Sequence, residues 1–355
     1  MPEYVMSFAS LGAYRLEAMR IVQAHFGSSL NIYAGTAQDP AIRVISQDDL
    51  RYKVVDTRLL FNRVLVQRLP LKDHLFCRVL LLDLNPRIPH VWVLVLLRRI
   101  LRRPTVLWGH AFPRAGKLAR TEVLRRTLRS IASGLVTYTR SQAAELSQIH
   151  PNKTINAAPN ALYPARDFIF DHSGHRDSFV FVGRLIVSKK PQILIEAFER
   201  VHSVRPDLRL VIVGDGPEMS SLVKLARDSR YGRQIEFLGH VGDYQSLRTI
   251  YARAIASVSP GYVGLSVTQS LSFGVPMIVS RDEPHSPEIE AVEVGSNADF
   301  FETDDAEDLA RILLQFASNG RFWQEQGDKI AADCRDKYSA EVMAAGLIKA
   351  METVK

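Results

Sequence analysis

The fold is decided by the stretch Ser257-Val-Ser-Pro-Gly-Tyr-Val-Gly-Leu-Ser-Val-Thr-Gln-Ser-Leu-Ser-Phe-Gly-Val-Pro276. A short apolar strand over 255–258 ends at Ser259-Pro260. A loop holding Gly261 and Gly264 follows, and a helix begins with Leu265, Ser266, Val267 and Thr268. A Gly-rich loop feeding a helix offers unpaired N–H groups and the positive end of a dipole, which suits an anion. The same residues also make a bare strand-to-helix turn, and the surrounding chain decides between the two.

Outward from this stretch the second half alternates regularly. Apolar runs predict strands over 179–182, 208–213, 235–238, 255–258 and 277–279. Helical spacing predicts helices over 191–204, 218–227, 245–254, 265–273 and 306–318. Two more helices, 321–336 and 340–353, have no strand after them. Strand–helix alternation with short connections predicts a parallel, doubly wound α/β sheet. The first half repeats the pattern: strands over 4–9, 29–33, 78–82, 104–108 and 134–139, with helices over 15–25, 88–101 and 121–133. Ser141 is expected to cap a helix running to Ile149. Residues 38–73 are expected to hold one or two strands and a helix. The polar run Asp171-His-Ser-Gly-His-Arg-Asp177 reads as a linker, its two histidines solvated. The expected organisation is therefore an acceptor-side Rossmann-like domain over 1–165, a linker over 166–177 and a second Rossmann-like domain over 178–335. A final helix over 336–355 crosses back to the first, and the two domains face a cleft.

At 355 residues the chain exceeds one ordinary core, which fits two domains. Its two cysteines, Cys77 and Cys334, fit no metal spacing and suit a reducing cytoplasmic setting. Met1-Pro2-Glu3 opens without the basic region of a signal peptide. The longest apolar run covers only 91–97, against about 20 residues for a membrane span. Residues 1–165 hold 23 Lys+Arg against 10 Asp+Glu, while 166–355 hold 22 against 28. One basic half points to an anionic surface met by that half alone. No nucleic-acid-binding module is visible, so an anionic membrane is the expected surface. Arg98, Arg99, Arg102 and Arg103 form one cluster beside the apolar run, and Arg114, Lys117, Arg120, Arg125, Arg126 and Arg129 another. Arg98, Arg102 and Arg129 are equally readable as solvated helix faces.

Three strands of the second half run into glycine, at Gly183-Arg184-Leu185, Gly214-Asp215-Gly216-Pro217 and Gly239-His240-Val241. Each glycine lets the backbone turn or lets a ligand approach. Near the first lie Arg184, a planar fork for phosphate oxygens, and Lys189, a point charge.

In these residues the sequence resembles glycosyltransferase family 4. The resemblance is carried by Phe181-Val-Gly183-Arg184-Leu185 with Lys189, Leu194, Ala197 and Phe198, then by 210–217, Phe237-Leu-Gly239 with Val241, Gly264-Leu265-Ser266, Gly274-Val275-Pro276, and Pro287-Glu288-Ile289 with Gly295 and Asn297. Five ordered segments over 178–320 make it specific. The first half matches only through Gly12, the His110 segment and Pro159-Asn160.

The resemblance implies a GT-B fold and a metal-independent hexosyltransferase that takes sugar from a nucleotide-diphosphate donor with retention and needs no cofactor. Arg184 and Lys189 would bind the diphosphate. Gly183, Val263, Gly264, Leu265 and Ser266 would hold phosphate and sugar, Gly239, His240 and Val241 would border the base, and Gly12 would approach the donor. His110 would lie near the transferred sugar. The family's two glutamates are replaced by Gly261 and Gln269, of which Gln269 can still hydrogen-bond a ribose. The expected acceptor is a saccharide on a polyprenyl diphosphate lipid, as in bacterial surface-polysaccharide assembly at the inner face of the plasma membrane. The missing carboxylates keep open a non-catalytic binding or scaffold subunit. A nucleotide-sugar epimerase of the same fold would need cleft carboxylates, which the sequence does not place.

Overall fold

The computed structural model describes the chain except residues 37–42, 62, 114–115 and 230–231. It divides into two compact units: Met1–Pro164 with Tyr338–Lys355, and Ala165–Lys337.

The first unit is built on β1 (Tyr4–Phe8), β2 (Leu30–Gly35), β3 (Lys53–Val55), β4 (Thr57–Leu60), β5 (Val64–Gln67), β6 (Val79–Asp83), β7 (Thr105–Gly109), β8 (Gly134–Thr137) and β9 (Thr154–Ala157). Seven of these form one parallel sheet in the order β3-β2-β1-β6-β7-β8-β9. Strand alternation sends Met6, Phe8 and Leu81 to one face and Val5, Leu80 and Leu82 to the other, and all six are buried. Both faces are covered, which is why these strands read as unbroken apolar runs. The helix Ala340–Thr353 belongs to the first core through Met343, Ala344, Leu347 and Met351. Gly346 permits this, because a Cβ there would lie 2.1 Å from Ala157 O.

Of the segment 38–73, residues 38–42 and 62 lie outside the described residues. The rest holds β3, the antiparallel hairpin β4–β5 and the helix Leu71–Phe76. The cap at 139–142 differs from expectation. Thr139, not Ser141, precedes the helix Arg140–Ile149, and its hydroxyl accepts the Gln142 N–H at 3.1 Å.

The basic clusters also need correction. Arg98 is fully buried and donates to the carbonyls of His74, Leu75, Cys77, Arg78 and Pro104 and to Thr105 Oγ1. Arg129 is 2% exposed, ion-paired to Glu122 at 2.5 Å and bonded to Ala111 O. Neither is a solvated charge. Arg114 lies outside the described residues, whereas Arg102 is exposed.

The second unit carries β10 (Ser178–Val182), β11 (Arg209–Val213), β12 (Ile235–Gly239), β13 (Ala254–Ser259), β14 (Met277–Ser280) and β15 (Ala298–Phe301). All pair in parallel, in the order β12-β11-β10-β13-β14-β15. The strand order reverses between β10 and β13, as it does between β1 and β6 in the first unit. Ligands of such sheets bind outside the carboxyl ends at this reversal. The segment 166–177 is packed into the second unit rather than loose. The Phe170 ring occupies the space that a Cβ on Gly274 or Gly327 would fill. Arg176 donates to Tyr251 O, Ala254 O and Asp171 O.

Candidate functional site

The carboxyl ends of β10, β11 and β12 surround a pocket of about 310 Å³. Its wall joins Gly183 and Arg184 after β10, Gly214 and Asp215 after β11, His240, Val241 and Gly242 after β12, and Gln269 from the helix Ser266–Ser272. Five expected ligand residues, Gly183, Arg184, His240, Val241 and Gln269, thus share one cavity. Asp215 and Gly242 were not anticipated as wall residues, although Asp215 directly follows Gly214 and Gly242 lies three residues after Gly239.

The glycines act differently. Gly214 has φ +146, and a Cβ there would overlap Gly183 O at 1.8 Å, so packing of the strand ends requires it. At Gly183 a Cβ would meet nothing nearer than the Phe181 ring at 3.6 Å. Protein packing therefore does not demand glycine at 183, whereas close approach of a ligand would. Gly239 has φ +66 in open space, so the turn itself selects it.

Lys189 closes a 3-10 turn, Val187–Lys189, beside this wall. Its Nζ lies 4.8 Å from the centre of the Tyr262 ring. Burial, reinforced by the Arg184 charge and opposed by Glu288, pushes the Lys189 ammonium down to about 8. A cation held at such a cost is better satisfied by an arriving anion. Arg184 is exposed.

The loop after β13 is fastened to the Lys189 turn and to the segment after β14. Tyr262 N–H donates to Ser188 O at 2.9 Å. Val263 N–H donates to His285 Nδ1 at 3.1 Å, and the other ring nitrogen, Nε2, lies 2.9 Å from Ser280 O. The Val263 bond requires Nδ1 to accept, so Nε2 carries the hydrogen and the ring is neutral. Burial pushes its pKa down, in keeping with that state. Ser286 N–H donates to Val263 O at 2.9 Å, and the Tyr262 and Ser286 hydroxyls are bonded. His285 and Ser286 are contributors that sequence reasoning missed, since nothing local pairs 285 with 263.

Gly261 is buried against the same turn, and a Cβ on it would lie 2.5 Å from Ser188 O and 2.8 Å from Lys189 C. No side chain, glutamate included, fits there in this conformation. The helix that follows spans seven residues, shorter than the 265–273 expected, and its N-cap residue Leu265 supplies no side-chain cap. Gly264, Leu265 and Ser266 are half-buried at its start.

His110 and Gly12 lie in the first unit. His110 follows β7 and lines a separate pocket of about 530 Å³ with Asp83, Asn85, Phe112, Arg125 and Tyr138. Its ring meets Tyr138 edge-on at 4.9 Å. Gly12 follows β1, bridges Val44 and does not line that pocket. Asp83, at the end of β6, is a wall carboxyl that sequence reasoning did not place. An aspartate closing the run Val79-Leu-Leu-Leu-Asp83 was the available signal. Among the described residues no cluster of His, Cys, Asp or Glu is arranged to hold a metal ion.

Residues 166–333 match the family model for glycosyl transferases group 1. Among curated proteins, the chain is 29% identical over 150 residues to an alpha-monoglucosyldiacylglycerol synthase of Acholeplasma laidlawii, covering 40% of this chain and 36% of that one. It is 34% identical over 105 residues to a GDP-mannose-dependent alpha-(1-6)-phosphatidylinositol dimannoside mannosyltransferase of Mycobacterium tuberculosis, covering 29% and 26%. The chain thus spans about a third or less of the length of these two relatives. Among solved structures, Anabaena HepE in complex with UDP superposes over 100% of both chains, with TM-score 0.75 and 15% identity. The fold is therefore GT-B, and the second unit matches the family model for group 1 glycosyl transferases.

Proposed function

We propose that the chain is a retaining, metal-independent hexosyltransferase that takes a sugar from a nucleotide-diphosphate donor. The observation that carries this reading is the single pocket uniting Gly183, Arg184, His240, Val241 and Gln269 at the strand ends of the second unit, with a destabilised Lys189 beside it. Arg184 and Lys189 hold the diphosphate and offset its charge as it leaves. The backbone after β12 borders the base, and Gln269 hydrogen-bonds the ribose. Positioning and charge stabilisation supply the rate enhancement. Related proteins acting on glycolipids, and HepE with its bound UDP, support the donor class and a lipid-linked saccharide acceptor.

A surface in the first unit supports work at the inner face of the plasma membrane. The helix Pro89–Ile100 exposes Val93, Leu96, Leu97 and Ile100, spaced as one stripe, next to exposed Arg99 and Arg102. Aliphatic and basic groups together suit an anionic leaflet, each cation adding roughly 1 kcal/mol. Among the described residues no helix is long and apolar enough to cross a membrane. Ile100→Glu with Leu97→Glu is expected to abolish flotation with anionic vesicles at low salt. Absence of flotation by the wild type removes the membrane part of the reading.

Thermal shift against UDP, GDP, dTDP and their sugar conjugates tests the donor site, because a ligand bound only by the folded state raises its stability. One nucleotide family should stabilise the wild type and not Lys189→Ala. The crowding at Gly261, which leaves no room for a carboxylate, favours the second reading, a binding subunit without turnover. Product with a new glycosidic bond decides against that reading.

A further inference from the structure

The first-unit pocket carries a carboxyl with half of its hydrogen-bonding capacity uncommitted. Asp83 ends β6 and is half-buried. Its Oδ2 accepts the Ala9 N–H at 2.6 Å, which fixes the carboxyl plane across the reversal between β1 and β6. Among the described residues its Oδ1 has no hydrogen-bond partner, and Asp83 lines the pocket wall. The nearby cation is engaged elsewhere. Arg15, 6% exposed, donates to Tyr138 Oη at 3.0 Å and Asn160 Oδ1 at 3.3 Å, and its guanidinium lies 4.2 Å from the Trp108 ring centre. It forms no ion pair with Asp83.

The rest of the wall narrows the ligand class. Phe112 and Tyr138 present aromatic surface, and Asn85 and His110 present polar groups. Arg87 and Arg125 lie on the same wall with Arg15 behind it, so a cationic ligand is repelled. At Asp83 itself an anionic group is repelled too. A neutral hydroxyl donor with apolar C–H faces, a saccharide, meets both constraints.

We propose that Asp83 is the hydrogen-bonding anchor of a saccharide acceptor bound in this first-unit pocket, its Oδ1 accepting from a sugar hydroxyl while Ala9 holds Oδ2. The proposal rests on the glycosyltransferase reading for the word acceptor, but the binding site stands on the first unit alone. Burial, opposed by the Ala9 bond and the Arg15 charge, pushes the carboxyl up to about 6, as expected for an oxygen with no protein donor.

The test is saturation-transfer NMR on the full chain with methyl α-glucoside, α-mannoside and α-galactoside as probes, for wild type, Asp83→Asn and Asp83→Leu. At least one glycoside is expected to bind the wild type. Asp83→Asn, which retains an acceptor for Ala9, should weaken it, and Asp83→Leu should weaken it roughly 10- to 100-fold, as for a lost charged hydrogen bond. The thermal shift induced by whichever of UDP, GDP or dTDP stabilises the wild type should be the same in all three. If Asp83→Leu fails to fold, Asp83→Asn together with Phe112→Ala supplies the comparison. Failure of every glycoside to bind the wild type, or wild-type binding by the variants, overturns the proposal. Absence of any nucleotide shift while glycosides bind overturns the donor reading instead, so the two failures are distinguishable.

Discussion

Gly261→Ala separates a glycine held by packing from one selected by its turn. Gly261 lies outside the left-handed region, so an alanine there adds no backbone strain. Its Cβ would stand 2.5 Å from Ser188 O, 2.8 Å from Lys189 C and 3.0 Å from Lys189 O. All three are backbone atoms, which cannot rotate aside, so the loop and the Lys189 turn must separate by about an ångström. Overpacking of this kind costs typically 1–3 kcal/mol. The same movement lengthens the Tyr262 N–H bond to Ser188 O, whose loss adds roughly 1 kcal/mol. The sum, about 2–4 kcal/mol, lowers Tm by roughly 4–16 °C in a unit of this size. Gly239→Ala is the control. It has φ +66 and no atom within 4 Å, so only left-handed strain of about 1–2 kcal/mol applies. Differential scanning calorimetry of both variants, with calorimetric titration of the nucleotide that stabilises the wild type, gives the comparison. Gly261→Ala should melt lower than Gly239→Ala and should also lose nucleotide affinity, because the turn it displaces carries Lys189. A Gly261→Ala protein with wild-type Tm and affinity would refute the reasoning and reopen room for a carboxylate at 261.

Three further outcomes follow from the same geometry. Lys189 loses its charge as pH rises through about 8, so nucleotide affinity in isothermal titration should fall above that pH, and Lys189→Met should be weak and flat across the range. His285 is held neutral, so the unfolded chain takes up its proton first. Its contribution to stability is intact above the ordinary imidazole value of about 6.5 and declines below it, and His285→Gln should flatten that acid limb in pH-dependent melts. Arg98→Met removes one donor from each of five carbonyls, of which Cys77 O keeps Arg103 and Pro104 O keeps the Leu80 N–H, and should destabilise the first unit by about 3–5 kcal/mol in urea, far more than Arg102→Met at an exposed site.

Legibility in the sequence tracked how local the physical cause was. The central strands were readable because both sheet faces are covered, which forces runs such as Phe179-Val-Phe-Val182. The edge strands β9 and β15 escaped because Thr154-Ile-Asn-Ala157 and Ala298-Asp-Phe-Phe301 have only one neighbour each and tolerate polar residues. The strand-end glycines and Arg184 were legible, since a glycine after an apolar run signals a turn or a close approach. His285, by contrast, meets Val263 only because β14 lies beside β13, a pairing that spacing alone does not reveal. The same limit explains the arginines. Arg98 and Arg102 are four residues apart in one basic run, yet one ends in a nest of carbonyls and the other in solvent. Charge in the sequence thus overstated the basic surface. Of what survives, Lys117, Arg120 and Arg126 stay exposed, and the helix end that sets Arg99 and Arg102 beside Leu96, Leu97 and Ile100 is smaller and more apolar, which shifts the proposed membrane contact there from electrostatic attraction toward shallow insertion. Binding that persists at high salt in vesicle flotation would follow from that shift, and binding abolished by salt alone would contradict it.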